Sequence, residues 1–150
     1  MSMHPRESRF VAAMLPDAIF LPLRFLALLG LCSAYIQGPL TKIADFGGAI
    51  AEMDHFGLSP APLFALVVIV FELAMSGLVL SGVYRWPACL ALAAFTLMAT
   101  FLALRFWELP AGQDRTMAMN GFFEHLGLVG AFVFVALYDL RELRDRPARP

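Results

Sequence analysis

Charge is scarce in this chain where a soluble helix would need it. Between Ala61 and Val83 the single ionisable residue is Glu72, and between Trp86 and Leu104 there is none. Runs of that length without a polar face exclude surface helices of a soluble domain. Cysteine is scarce too. Cys32 and Cys89 form no C-x-x-C pair, which excludes the adjacent dithiol of thiol–disulfide membrane enzymes. Counted from the cytoplasmic start of each run, Cys32 lies about 13 residues deep and Cys89 about 3, a difference near 15 Å. A disulfide tolerates Cα separations of about 7 Å at most, so both read as small apolar packing groups. Of the three histidines only His125 lies in an apolar run, His55 and His4 lying outside them, so the paired axial ligands of a buried haem are missing. Zinc or iron–sulfur ligand spacings, a phosphate-binding glycine loop, a nucleophile elbow, internal repeats and low-complexity segments are all lacking.

What is present is apolar. The chain is 60% hydrophobic with 14 Phe in 150 residues, more apolar surface than a soluble domain of this size can bury. It is concentrated in four runs, residues 18–40, 61–83, 86–107 and 120–138. A hydrocarbon core of roughly 30 Å takes about 20 residues of helix, so each run is long enough or nearly so. The expected fold is all-α: a single integral membrane domain over 1–150, a four-helix bundle with residues 139–150 as a solvated tail. Lipid is the first partner, and no nucleic-acid partner is expected.

The basic residues set an expected orientation. Arg6, Arg9, Arg24, Arg85, Arg141, Arg144, Arg146 and Arg149 fall on one side, eight of the eleven, against Lys42, Arg105 and Arg115 on the other. The positive-inside rule then places both termini in the cytoplasm of a bacterial inner membrane. Arg24 interrupts any signal-peptide core, and Pro16-Asp17 spoil its approach, so the first run is expected to be retained. Between runs two and three, Ser81-Gly82-Val83-Tyr84-Arg85-Trp86-Pro87 reads as a tight turn with aromatic residues at headgroup depth. After run one, Ile43, Phe46, Ile50 and Met53 recur at helical spacing with Lys42, Asp45 and Glu52 elsewhere on the wheel. This predicts a short interfacial amphipathic helix that ends at Gly57-Leu58-Ser59-Pro60. Residues 108–119 read as a surface loop.

The order of several residues carries a resemblance: Arg24, then Gly38 and Lys42, Asp45-Phe46, Gly57, Glu72 followed by Gly77 and Gly82, Arg85, and Asn120-Gly121-Phe122-Phe123-Glu124-His125-Leu126. Together they resemble the DoxX family of small bacterial membrane proteins, over about residues 20–138. The resemblance implies a four-helix membrane bundle. The family is named for a subunit of a thiosulfate:quinone oxidoreductase, and most members have no assigned chemistry.

The intramembrane charges define the candidate sites. An ionised Glu72 at mid-membrane costs about 2.5–3.5 kcal/mol on insertion scales unless neutralised or paired. Arg24, about 9 Å deep, reaches toward it from run one, so an Arg24–Glu72 ion pair that fixes helix register is expected. On that reading Glu72→Gln damages folding. A second cluster gathers near the outer face: Arg105, Asn120, Glu124 and His125, with Lys42 and Asp45 above it. Its structural reading is an Arg105–Glu124 anchor. Its functional reading is a quinone headgroup site in which Glu124 or His125 exchanges protons. The stripe Asn120, Gly121, Glu124, Gly127, Leu128, Ala131 is expected to face protein. No cofactor is encoded, and a quinone is the candidate ligand. The redox part of the expectation follows from the resemblance: an accessory or membrane-anchor subunit of a quinone-linked redox system, with an oxidoreductase as partner. The alternatives are a small proton-coupled exporter acting as a homodimer, with Glu72 titrating, or a structural or assembly factor without ligand.

Overall fold

A computed structural model describes residues 17–145, and within them the chain is helical with no strand. Five α-helices follow one another: α1 (Asp17–Ala44), α2 (Phe46–His55), α3 (Ala61–Ser81), α4 (Arg85–Ala103) and α5 (Gln113–Asp145), with a 3-10 turn at Phe106–Glu108 before α5. Helices α1, α3, α4 and α5 are long and apolar enough to cross a membrane. With no charged face to solvate, they expose Phe25, Leu26, Leu66, Val70, Phe134 and Leu137 outward, a surface that lipid must cover. The chain is a multi-pass membrane protein. Arg6, Arg9, Arg146 and Arg149, which enter the charge count, lie outside the described residues.

Helix α1 does not stop at residue 40. It runs on through Lys42 to Ala44, and the chain re-enters helix one residue later because the Asp45 side chain caps α2, Oδ1 accepting from the Gly48 N–H at 2.9 Å. A Cβ at Gly48 would push that carboxylate aside, so glycine here lets the cap form. The inner face of α2 is Ala49 and Met53, packed on Ala61 and Ala65 of α3, while Ile43 and Phe46 stay exposed. The amphipathic face is thus displaced from the expected one, since Ile43 belongs to α1. The turn between α3 and α4 is as tight as expected: Gly82 is left-handed at φ 80°, and a Cβ there would sit 2.9 Å from the Arg85 guanidinium.

Helix α5 is longer than its apolar run at both ends. It begins at Gln113, seven residues before Asn120, because nothing after Gly112 breaks a helix and Asp114 suits the first turn. It continues to Asp145, where Arg141 and Asp145 pair one turn apart at 3.6 Å. The stripe of small residues does not form its inner face. Phe122, Phe132, Ala136 and Asp139 do, while Asn120, Glu124 and Gly127 are exposed. Large aromatic residues fill the interior more completely than close approach over glycine would.

The helices pack in the order α1, α3, α4, α5, with α2 on α3. One buried cluster gathers Leu28, Cys32, Tyr35, Val79, Cys89, Leu92, Phe132 and Ala136. Tyr35 closes it from α1 by meeting Phe132 of α5 edge to face at 5.3 Å. Cys32 and Cys89 are free thiols in this same cluster, so the 15 Å depth difference expected for them does not hold. The ion pairs explain why. Arg85 binds Asp139 and Arg24 binds Glu142, partners three residues apart on α5. Arg24 therefore lies about 4.5 Å farther out than Arg85, and α1 and α4 enter the bundle at different heights.

Candidate functional site

A cavity of about 420 Å³ lies among all four spanning helices and α2. That is within the roughly 300–1,000 Å³ typical of small-molecule sites. Its walls are apolar: Met53, Phe56, Phe64, Val68, Phe95, Met98, Leu102 and Leu128. Helix α2 positions its rim. Because Asp45 turns the chain at the top of α1, Glu52 returns over Lys42, and Lys42 Nζ lies 2.7 Å from Glu52 Oε2.

The polar groups converge from four helices. Glu72 of α3 lines the cavity and has no ion pair or hydrogen bond among the described residues. Tyr35 of α1 is hydrogen-bonded to Thr96 of α4. His125 of α5 holds its Nδ1 at 2.9 Å from Thr100 Oγ1, one turn along α4. The two threonines are anchored in their own helix, Thr96 Oγ1 donating to the Leu92 carbonyl at 2.7 Å and Thr100 Oγ1 to the Thr96 carbonyl at 2.6 Å. Such back-bonding is how threonine is satisfied inside an apolar helix.

The structure therefore redistributes the residues expected from sequence. Glu72, Lys42 and His125, assigned to two separate clusters, share one cavity. Arg24 is not with them. It pairs with Glu142 at 3.2 Å, its guanidinium 5.6 Å from the Tyr138 ring centre. Arg85 reaches the Val79 carbonyl, so Glu72 lies seven residues beyond that level and about 15 Å from the height of Arg24, out of reach of an arginine side chain. The Arg24–Glu72 pair is replaced by Arg24–Glu142 because α1 meets α5 with Arg24 at the level of Glu142. Arg105 pairs with Glu108 at 3.2 Å rather than with Glu124, within reach along its own 3-10 turn. Asn120 and Glu124 are exposed on α5 and do not line the cavity.

Four residues of the site escaped the sequence reading: Tyr35, Thr96, Thr100 and Glu52. A signal was available for the threonines, hydroxyls four residues apart in the charge-free stretch between Trp86 and Leu104. The buried pair Arg85–Asp139, 3.4 Å apart, escaped as well, because Asp139 lies in what read as tail.

No curated protein and no solved structure matches the chain. A family model for DoxX matches residues 23–105, from α1 to the end of α4, and so leaves out the Asn120–Leu126 segment of α5. That match covers more than half of the 150 residues, and it includes Lys42, Glu72, Tyr35 and Thr96 of the cavity: the chain belongs to the DoxX family.

Proposed function

We propose that this protein is an accessory or membrane-anchor subunit of a quinone-linked redox system, and that its cavity binds the quinone headgroup. One observation carries the reading: an apolar chamber within the bundle into which Tyr35, Glu72, Thr96 and His125 project from four different helices. Apolar walls with a few fixed polar groups suit a flat, amphipathic ring. What a bound quinone would supply is two-electron, two-proton chemistry. The chain's own residues supply the pocket, its orientation and exchangeable protons at Glu72 and His125. Electrons must then come from a partner oxidoreductase. The basic bias favours a bacterial inner membrane with the α3–α4 turn cytoplasmic and α2 outside.

The test is purification in a mild detergent, followed by quantitation of co-eluting quinone and mass spectrometry of co-eluting proteins. Quinone in near-stoichiometric amount that falls on Phe95→Ala supports the reading, and a quinone-free preparation from quinone-replete membranes refutes it.

One observation favours a second reading. Freed from Arg24, Glu72 is an intramembrane carboxyl facing a cavity, the arrangement a proton-coupled exporter needs. That reading predicts substrate-dependent proton flux in vesicles, lost in Glu72→Gln, and a functional homodimer.

A further inference from the structure

The protons around the cavity can be followed one at a time. Thr96 gives its single hydroxyl proton to the Leu92 carbonyl, and Thr100 gives its own to the Thr96 carbonyl. Neither hydroxyl has another to offer. The Tyr35–Thr96 hydrogen bond therefore runs from the phenol to the threonine oxygen, and the Thr100–His125 hydrogen bond runs from Nδ1–H to the threonine oxygen. With the threonine protons on the helix carbonyls, neutral His125 is assigned the Nδ1–H tautomer, with Nε2 as its acceptor. What is left deep in the cavity is mostly acceptors: the Tyr35 phenolic oxygen, His125 Nε2 and the carbonyl oxygen of the Glu72 carboxyl, whose one O–H when neutral is the single donor beside them. Lys42, the donor on the lining, stands at the rim and is engaged by Glu52.

We infer that the cavity selects a ligand that donates hydrogen bonds, the reduced hydroquinone form in preference to the oxidised quinone. The inference rests on the quinone reading above and adds the redox state to it. Tyr35, His125 and Glu72 can accept from two phenolic O–H groups. Against a quinone, whose carbonyls only accept, Tyr35 and His125 stay unpaired and desolvated, and only a neutral Glu72 has a proton to give.

Three probes of one shape separate the outcomes: a short-tailed benzohydroquinone, the matching benzoquinone, and the dimethyl ether of the hydroquinone, which keeps the ring and loses both donors. Binding to the full-length detergent-purified protein is measured anaerobically by calorimetry. The hydroquinone should bind about tenfold or more tightly than either other probe. Tyr35→Phe and Glu72→Gln should each narrow that gap, the first by weakening the hydroquinone alone, the second by placing a permanent two-proton amide donor where the carboxyl has at most one. Equal or tighter quinone binding overturns the inference and leaves the quinone reading standing. A hydroquinone preference that neither variant alters also overturns it. Failure of all three probes to bind removes the quinone reading and this inference with it.

Discussion

At the end of the bundle that carries the α3–α4 turn, Arg85 and Asp139 sit 3.4 Å apart with side chains 14% and 12% exposed, and Arg85 also donates to the Val79 carbonyl at 2.9 Å. At the other end Lys42 and Glu52 are closer, at 2.7 Å, yet they flank a 420 Å³ chamber. The first pair lies against the buried cluster of Cys89, Ala136 and Val79, and the second stands over space. One end of the bundle is built to stay shut and the other to admit something. A buried ion pair mainly fixes geometry, because its desolvation cost offsets most of its attraction, whereas an ion pair at a rim is exchangeable with water.

The contrast is sharpest in topology, where the outcome is all or none. Cys32 and Cys89 are fully buried, so single cysteines can be added to the native chain. On intact spheroplasts an impermeant maleimide should label Gln113→Cys and leave Val83→Cys untouched. The reverse pattern would put the cavity on the cytoplasmic side.

The closed end should then break first under mutation. Asp139→Ala strands the Arg85 charge and should cost about 3 kcal/mol or more. The apolar double variant Arg85→Met/Asp139→Leu should recover most of that loss, read as Tm in detergent. Strict additivity of the single variants would show that the pair does not couple.

At the open end a charge can be removed cheaply. Glu72→Gln should keep its Tm, contrary to the sequence-based expectation, because no cation is stranded by the change. Its co-purified hydroquinone should nevertheless fall about fivefold, as for weakening of one neutral hydrogen bond. A large drop in Tm would show that Glu72 has a structural partner after all.

The smallest effects belong to groups that sequence favoured and the fold leaves on the surface. Arg24→Ala breaks a partly exposed pair and should cost less than about 1 kcal/mol. Glu124→Gln should leave quinone content at the wild-type level, since Glu124 is exposed on α5 away from the cavity. A variant emptied by that change would relocate the site to the outer face of α5.

The four spans and the tight turn at Gly82 were legible because each depends on local sequence: length of apolar run, and a residue able to take positive φ. The polar end of the cavity was legible only in part. Glu72 and His125 stand out as ionisable residues in apolar runs, but Tyr35 and Thr96 are ordinary residues until packing turns them toward the same chamber. Partner assignment failed for Arg24 because its depth was counted from the start of its own run, whereas packing sets the height at which α1 meets α5. It failed for Arg105 because Glu108 lies within reach on its own 3-10 turn.

The sequence by itself determined that this chain crosses a membrane four times, and which residues carry charge into it, because both follow from the free energy of transferring single side chains into hydrocarbon. Only the tertiary structure decided that Lys42, Glu72 and His125 face one cavity while Arg24 turns to Glu142, since those contacts depend on the relative heights of helices 30 or more residues apart in the chain, a shift of about 1.5 Å per residue that no local pattern records.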